Sequence, residues 1–467
     1  MQQFIASING ILWDSVLVYL LVAVGVWFTL RLKFMQIFHF GHMFSLMKGS
    51  NREDKSGISS FQALMTSLAA RVGTGNLAGV AVAITMGGPG AIFWMWVIAL
   101  LGMATAFAES TLGQVYKVKD NNGEFRGGPA YYIQQGLNKK WLAVAFSVCL
   151  LFGYGFVFSS VQSNTIADAL NHAYGIEPIF IGIALALSAG YIVLGGIRSI
   201  AHFSQIAVPV MGLLYIFLAL TIMILNVSQV PDVLWLIVSS AFGLQEAAGG
   251  VLGSVIINGI KRGLYSNEAG SGSVPHAAAC ASPHPNHPAA QGYIQMLGVF
   301  IDTMVICSAS AFIILLADIE YGQQVEGIRL IQQAVTFHIG EFGSDFIAIA
   351  IILFSFTSIV ANYAYGENNL HLFKLDTKKG RYSFTAGYLL MIVWGSAASI
   401  PMVWSLADLA LGLMTVINVS VLIMMSPTII NVAKNYHQSR KANIEPSFSA
   451  KDKTLYQGKL EQEDIWS

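Results

Sequence analysis

The amino-acid sequence predicts an all-α polytopic membrane protein. Hydrophobic residues make up 55% of the 467 positions, whereas charged residues make up only 11%. Soluble domains carry roughly a quarter charged residues, and a bilayer core about 30 Å thick needs runs of about 20 apolar residues to cross it as a helix. Many such runs occur, separated by short polar segments. The formal net charge of zero gives no indication of a nucleic-acid partner.

Eleven apolar stretches are long enough to be membrane spans. They cover residues 13–31, 59–86, 89–116, 142–171, 178–195, 204–226, 232–259, 291–317, 344–366, 384–400 and 403–432. The first residues have neither a basic start nor a small-residue cleavage site, which favours a retained span over a signal peptide. The predicted parts are an extra N-terminal span with its loop (1–58), two groups of five spans (59–227 and 228–432) and a polar, partly disordered tail (433–467).

Lysine and arginine are distributed unequally between the loops. Of the 25 basic residues, all but Arg71 and Arg329 fall in the tail or in loops that follow odd-numbered spans. Because basic residues accumulate on the cytoplasmic side of a membrane protein, the N-terminus is predicted to lie outside and the C-terminus in the cytoplasm.

Glycine and polar residues interrupt two of the predicted spans. The second span contains the sequence GTGN at residues 73–76, and the seventh contains a glycine-rich stretch between Phe242 and Gly253. Lipid tolerates broken backbone only where it faces protein or a water-filled cavity. Each break opens a group of five spans, which predicts an inverted-repeat secondary transporter with its site at the bilayer midplane. The alternative is that the glycines only permit close helix packing.

The chemistry of these breaks suits a zwitterion and a small cation. Half-helix amino termini and free amides hold carboxylates, while freed carbonyls and hydroxyls suit sodium. Thr357 and Ser358 bring hydroxyls to the ninth span, although membrane hydroxyls commonly bond to their own backbone. Gln162 and Asn164 bring amides to the fourth span, either as substrate contacts or as bonds between helices.

Charge inside a membrane span is costly and usually functional, which makes four of the ionisable residues in the predicted spans candidates for function. They are Arg71, Glu109, Glu246 and Asp302. Arg71 could steer a carboxylate, occupy the place of a cation or pair with Asp302, and the ion pair is the favoured interpretation. Glu109 is interpreted as a structural anchor rather than a proton carrier. If Glu109 or Asp302 titrates instead, a proton could replace sodium.

Other function classes have less support. His276, His284 and His287 lie in a proline-rich loop without helical spacing, which favours a solvated loop over a metal site or a membrane metalloenzyme. A divalent-metal transporter is disfavoured because the first break contains no carboxylate. The chain has no nucleophile elbow, phosphate loop or HExxH motif, so neither an enzyme nor a cofactor is predicted.

Several longer segments are more specific. They are GGPGAIFWMWVIALLG, VGTGNLAGVA, EFRGGPAYYI, GGIRSI, RGLYSNEAGSGS and HPAAQGYIQMLGVFIDT. Through them the chain resembles the alanine or glycine:cation symporters, also called sodium/alanine symporters, over residues 10–435. The resemblance implies a leucine-transporter fold of two inverted five-helix repeats plus one extra span. It also implies sodium-coupled uptake of a small neutral amino acid, alanine or glycine first, across a bacterial inner membrane, with no obligatory protein partner.

The resemblance also implies the site residues. The substrate is expected to contact Gly73, Thr74, Gly75, Asn76, Gln162, Phe242, Gly249, Val251 and Asn362. Among these, Asn76 is expected at the substrate carboxylate. The sodium ion is expected between Ala69, Val72, Thr357 and Ser358.

Three positions depart from the family pattern, which has an uncharged residue at Arg71, a tryptophan at Asn362 and an aromatic residue at Val251. The two smaller side chains are expected to enlarge the pocket, so serine or glutamine becomes an alternative substrate. The charge of Arg71 is expected to replace one bound cation.

Overall fold

A computed structural model describes residues 2–51, 57–120, 122–243, 249–319 and 327–466. The first half of these residues forms the helices α1 Gln2–Asn9, α2 Val18–Arg31, α3 Met35–Phe38, α4 Phe40–Met47, α5 Ser60–Arg71, α6 Val80–Gly87, α7 Gly90–Val115, α8 Pro129–Leu137, α9 Lys140–Phe152, α10 Phe158–Tyr174 and α11 Pro178–Val193. The second half forms α12 Gly196–Leu225, α13 Val230–Ala241, α14 Gly249–Asn267, α15 Val274–Ala279, α16 Pro288–Val299, α17 Ser308–Leu315, α18 Ile328–Ile339, α19 Phe342–Leu370, α20 Lys378–Ala397, α21 Ile400–Met424 and α22 Ser426–Lys441.

Short segments of other structure join these helices. The π-helical segments are Gly10–Leu17, Gly75–Gly79, Gly153–Val157 and Phe300–Cys307, and the 3₁₀ turns are His371–Phe373 and Glu463–Trp466. The strands are β1 Ile58–Ser59, β2 Val118–Lys119, β3 Phe125–Arg126 and β4 Ala281–Ser282. β1 pairs in parallel with β4, and β2 pairs antiparallel with β3.

Seven continuous helices in the described residues are long and apolar enough to cross a membrane, and one bent pair makes an eighth. The seven are Phe4–Arg31, Gly90–Val115, Lys140–Tyr174, Gly196–Leu225, Pro288–Leu315, Phe342–Phe373 and Ile400–Met424. The bent pair joins Ser60–Arg71 to Gly75–Gly87 at 54°. α11, α13 and α20 also lie within or overlap predicted spans, and the total of eleven remains a prediction.

Helix α7 lies at the centre of the packing and contacts α2, α14, α15 and α16. Small residues allow this close approach: a Cβ at Gly102 would lie 2.9 Å from the Cβ of Ala269. A second group of α10, α11, α19 and α20 packs together around its own apolar cluster. Helices that are apolar on most faces are buried in this way within a membrane bundle.

The first break lies where the sequence predicts it. α5 begins at a capping box formed by Ser59 and Gln62 and ends at Arg71, after which Val72 leaves the helical conformation with ψ of 87°. The chain becomes helical again in the π-helical segment Gly75–Gly79.

The second break differs from the prediction. α14 is continuous from Gly249 to Asn267, and the chain then turns through residues 268–273 before α15 begins. Three residues of this turn have positive φ: Glu268 at 57°, Gly270 at 92° and Gly272 at 84°. Glycine adopts this conformation without a Cβ clash. Since α6 packs on α14 and α5 packs on α15, residues 268–273 are the break that faces the first one. The predicted interruption between Phe242 and Gly253 falls mainly on residues 244–248, with Glu246, which lie outside the described residues; α13 ends at Ala241 before them, and α14 begins at Gly249 after them.

Two basic residues assigned to a cytoplasmic loop belong to α14. The Lys261 ammonium lies 2.6 Å and the Arg262 guanidinium 3.3 Å from a carboxylate oxygen of Asp408 in α21. Both side chains are largely buried. Without them, most of the basic residues still fall in the loops predicted to be cytoplasmic.

The C-terminal tail is ordered, contrary to the expectation of partial disorder. Trp466 is only 1% exposed, and its ring centre lies 5.3 Å from that of Phe448 and 4.7 Å from the Lys117 ammonium. The Tyr116 hydroxyl donates to the Gln457 carbonyl at 2.7 Å. The tail therefore packs against the end of α7 and the β2 region.

We expect Trp466→Ala to lower the melting temperature of the purified protein by several degrees. Truncating a buried tryptophan costs about 3–5 kcal/mol, and Trp466 is the buried aromatic anchor near the end of the tail. Ile444→Ala is the matched control, because Ile444 lies in the same tail and is 64% exposed. Equal melting temperatures for the two variants would show that Trp466 does not pack against the end of α7 and the β2 region.

Candidate functional site

A narrow internal cavity lies between the two breaks. Its lining consists of Ala70, Arg71, Gly75, Tyr154, Phe158, Gln162, Tyr265, Glu268, Asn362 and Leu411. The water-accessible volume is about 10 Å³, which is close to the space for one water molecule. The structure is therefore closed around a space smaller than an amino acid.

Aromatic side chains close one end of this cavity. The Tyr265 ring centre lies 4.9 Å from that of Trp404 and 6.0 Å from that of Phe158. The Arg262 guanidinium lies 4.8 Å from the centre of the Trp404 ring and also pairs with Asp408. An ion pair and a cluster of rings thus connect α14 and α21 beside the cavity.

The side chain of Asn76 stabilises the first break through hydrogen bonds. Its side-chain oxygen accepts a hydrogen bond from the Gly73 amide at 3.0 Å, and its amide nitrogen donates to the Asp302 carboxylate at 2.7 Å. Gln162 holds the neighbouring turn by accepting from the Thr74 amide at 3.0 Å. Asn76 is fully buried and is not among the cavity-lining residues. The contact of Asn76 with a substrate carboxylate stays a prediction.

Asp302 connects the first break to the end of α14. Its carboxylate accepts hydrogen bonds from Asn76, from the Ser266 hydroxyl at 2.7 Å and from the Thr303 hydroxyl at 2.8 Å. It lies in the π-helical segment Phe300–Cys307, and such segments re-aim side chains within a membrane helix. One buried carboxylate thus holds both broken helices.

Glu109 holds the second break. Its two carboxylate oxygens accept from the Gly270 and Gly272 amides, both at 3.1 Å, and one of them also accepts from the Asn418 side chain at 2.9 Å. A buried carboxylate needs such donors to offset the loss of water. These contacts are those expected of a structural anchor.

Arg71 does not form the expected ion pair with Asp302. Its guanidinium donates to the Gln295 carbonyl at 3.4 Å, and no carboxylate of the described residues lies within ion-pair distance of it. Two of its nitrogens, Nε and Nη2, are buried without a hydrogen-bond partner among the described residues.

Sequence reasoning missed Glu268, which lines the cavity together with Arg71. Its carboxylate accepts from the Ser273 hydroxyl at 2.6 Å. The signal was present in the segment RGLYSNEAGSGS, where a carboxylate stands beside closely spaced glycines. The predicted seventh span ends at residue 259, so Glu268 falls outside it. The aromatic lining residues Tyr154, Phe158 and Tyr265 were missed as well.

The predicted sodium ligands converge in part. The Ser358 hydroxyl lies 2.8 Å from the Ala69 carbonyl and 3.4 Å from the Val72 carbonyl, at the end of α5. The Thr357 hydroxyl points elsewhere, donating to the Phe354 carbonyl at 2.8 Å and lying 3.6 Å from the sulfur of Met211.

Glycine is needed beside this oxygen cluster. A Cβ at Gly73 would clash with the Ser358 hydroxyl and lie 2.8 Å from the Gln162 side-chain oxygen. Gly73 therefore lets α19 and α10 approach the broken backbone closely.

Phe242, Gly249 and Val251, predicted to line the substrate pocket, lie around the start of α14. Phe242 is 50% exposed, and its ring centre lies 5.1 Å from that of Phe93. Gly249 is the first residue of α14, and the side chain of Val251 lies outside the described residues. By contrast, Gly75, Gln162 and Asn362 line the cavity as expected, and Gly73 and Thr74 lie directly beside it.

The expectation of a solvated loop is wrong for His276 and His287, which are buried: His276 belongs to α15, and His287 caps the start of α16. The two histidines bond to separate partners. His276 contacts Asn368 at 2.7 Å, and His287 contacts Asn435 at 3.1 Å. The described residues contain no group of three His, Cys, Asp or Glu side chains that could hold a metal ion.

Comparison of the sequence with known proteins identifies the family of this chain. The sodium:alanine symporter family model matches residues 1–450. The chain belongs to the sodium:alanine symporter family. It is a sodium-coupled amino-acid symporter and a multi-pass protein of a prokaryotic plasma membrane, and it is not an enzyme. Sodium and small amino acids are what such symporters transport.

Individual relatives extend over nearly the whole chain. The chain is 46% identical over 453 residues to the probable sodium/glutamine symporter GlnT of Bacillus subtilis, covering 96% of this chain and 94% of GlnT. It is 46% identical over 454 residues to the uncharacterized transporter YaaJ of Escherichia coli, covering 96% and 95%. It is 36% identical over 449 residues to the sodium/alanine symporter AgcS of Methanococcus maripaludis, covering 94% and 98%.

A solved structure confirms the fold class. The crystal structure of MhsT in complex with L-phenylalanine matches with a TM-score of 0.55 at 13% identity, covering 85% of this chain and 94% of MhsT. This likeness shows the leucine-transporter type of fold that the resemblance implied.

We expect Asn76→Ala to lower both thermal stability and substrate uptake in this symporter. The change leaves the Gly73 amide unpaired and removes one donor from Asp302, and each unsatisfied buried group costs about 1–3 kcal/mol. Asn171→Ala is the control, because the Asn171 amide bonds only to the nearby Ile176 carbonyl and is exposed. Melting temperature and alanine uptake at equal membrane levels are measured; a stable variant that has lost only affinity would favour direct contact with the substrate.

Proposed function

We propose that this symporter couples inward sodium flow to the uptake of a small neutral amino acid, with alanine or glycine as the first choice. The observation that carries this proposal is the cluster formed by the Ala69 and Val72 carbonyls and the Ser358 hydroxyl, directly beside the cavity. Three neutral oxygens at a helix break are ligands that a hard monovalent cation accepts. The membrane is that of a bacterial cell, with the N-terminus outside and the C-terminus cytoplasmic.

The cavity offers complementary charges to a zwitterion. Arg71 and Glu268 both line it, and two nitrogens of the Arg71 guanidinium have no hydrogen-bond partner among the described residues. A guanidinium is suited to bidentate binding of a carboxylate, so we assign the substrate carboxylate to Arg71 and the substrate ammonium to Glu268. Asn76 acts indirectly, by holding the first break in the shape that presents Arg71.

Sodium and substrate bind to neighbouring parts of one broken helix. The Ala69 and Val72 carbonyls flank Arg71 in sequence, so an ion that fixes this turn also fixes the guanidinium. Each ligand then raises the affinity of the other, because both favour the same state. Opening on the α14–α21 side requires the Tyr265–Trp404 contact and the Arg262–Asp408 pair to separate.

A larger polar substrate, serine or glutamine, is the alternative. The side-chain oxygen of Asn362 is buried without a partner among the described residues, in a residue that lines the cavity. A substrate hydroxyl or amide would satisfy it. The 46% identity to a probable sodium/glutamine symporter supports the same alternative.

The first test is uptake of radiolabelled alanine into proteoliposomes, with and without an inward sodium gradient. We expect sodium-dependent uptake that glycine inhibits, with one sodium per alanine, because Arg71 supplies a fixed charge. Serine and glutamine are added as competitors. Strong glutamine uptake without alanine uptake would establish the alternative substrate. Equal uptake driven by a proton gradient would reject sodium coupling, and more than one sodium per alanine would reject the role of Arg71 as a built-in cation.

We expect Ser358→Ala to raise the sodium concentration for half-maximal uptake roughly tenfold, the equivalent of about 1.4 kcal/mol, because one ligand is lost from the oxygen cluster. Thr357→Val on the same helix serves as comparison. Both hydroxyls bond to the Phe354 carbonyl. Only that of Ser358 also contacts the Ala69 and Val72 carbonyls, so the Thr357 shift is expected to be smaller. Sodium titrations of initial uptake rates measure both. Equal shifts would place both hydroxyls at the ion, whereas an unchanged sodium dependence in Ser358→Ala would reject the site.

A further inference from the structure

A second, larger cavity lies away from the transport site, between the end of α2, the α2–α3 turn and α22. Its volume is about 720 Å³. Five basic residues line it: Arg31, Lys33, Lys434, Arg440 and Lys441. The α2–α3 turn has two consecutive residues with positive φ, Lys33 at 58° and Phe34 at 54°. This bend of the backbone directs the chain around the cavity and leaves Lys33 in its lining.

The described residues contain no carboxylate that pairs with the positive charges of this basic cavity. No acidic residue lines it, and among the described residues none of its five cations forms an ion pair. The histidines on its wall add no charge near neutral pH. Burial, followed by the charges of His39 and Arg440, lowers the pKa of His437 to about 4, and burial with the charge of Arg440 also lowers the pKa of His39. The excess charge therefore resides in lysine and arginine.

The basic cavity opens at the edge of the membrane beside apolar surface. Arg31 is the last residue of a membrane-crossing helix. Its guanidinium carbon lies 4.4 Å from the centre of the Trp27 ring, and amphipathic aromatic rings of this kind sit at the headgroup level. Phe34 and Phe38 follow immediately, and Phe38 is 75% exposed. A soluble anion would need the cations but would have no use for this apolar rim.

We propose that the basic cavity binds the phosphate of an anionic phospholipid, with the acyl chains lying along Trp27, Phe34 and Phe38. Basic pockets at the cytoplasmic ends of membrane helices bind anionic headgroups through such clusters. The bound phosphate is the shared chemistry of a lipid headgroup and of free inorganic phosphate, and the apolar rim favours the lipid.

Hydrogen bonds connect the wall of the basic cavity to the transport core. The Tyr293 hydroxyl lies 2.9 Å from His39 Nδ1 and 3.1 Å from His437 Nε2. Tyr293 belongs to α16, which continues into the π-helical segment that carries Asp302. An anion that draws α3 and α22 together would therefore also stabilise α16.

The test titrates the purified, delipidated full-length protein with phosphatidylglycerol, phosphatidylcholine or inorganic phosphate. Bound lipid is counted by native mass spectrometry, and the melting temperature is recorded. Phosphatidylglycerol is expected to remain bound and to raise the melting temperature by about 2–4 °C, whereas phosphatidylcholine and inorganic phosphate have little effect. Equal stabilisation by inorganic phosphate would reject the lipid and leave a soluble-anion site. Equal binding of phosphatidylcholine would reject recognition of charge.

Matched variants test whether phosphatidylglycerol binds in the basic cavity. Lys434→Gln with Lys441→Gln is expected to abolish the retained phosphatidylglycerol and its stabilisation, and Arg31→Gln alone is expected to reduce both. Lys378→Gln with Lys379→Gln removes the same charge from exposed positions at the start of α20 and is expected to behave like the unmodified protein. Equal loss in both double variants would show a non-specific attraction to basic surface and would overturn the assigned cavity.

Discussion

Two buried carboxylates hold the interrupted helices together, and the remaining features of the site depend on them. Asp302 accepts from Asn76 in the first break and from Ser266 at the end of α14, while Glu109 accepts from two glycine amides in the second break. A broken backbone in hydrocarbon and a buried carboxylate are each unfavourable alone. Paired, the amide donors and the carboxylate acceptors satisfy one another. The breaks therefore persist, and the cavity forms between them.

Arg71 and Glu268 differ from these anchors. Arg71 has two nitrogens without a hydrogen-bond partner among the described residues, and Glu268 lines the cavity beside it while accepting from the Ser273 hydroxyl. The unpaired nitrogens are costly in the closed state, and the carboxylate of a zwitterionic ligand would remove this cost. The two kinds of charged group therefore differ in role. Asp302 and Glu109 accept several hydrogen bonds and stabilise the two breaks, whereas Arg71 and Glu268 line the cavity and are available to bind a ligand.

The sequence was sufficient for the features that local pattern determines. Hydropathy predicted the membrane helices, and the GTGN segment predicted the first break, because a cluster of small and polar residues is unusual inside an apolar run. The turn at residues 268–273 was not predicted because Lys261 and Arg262 resemble the polar end of a span. Both pair with the single carboxylate of Asp408 in α21, and no local pattern reveals a partner so distant along the chain. The packed tail was missed for the same reason, since Trp466 finds its contacts on α7 and near β2.

The space beside Arg71 links two positions that are far apart in the chain. A Cβ at Gly298 would lie 2.5 Å from the Nη1 nitrogen of Arg71 and 3.1 Å from a methyl carbon of Leu64. A side chain at position 298 would therefore clash with the guanidinium where it now lies. It would have to displace the guanidinium of Arg71, a residue that lines the cavity.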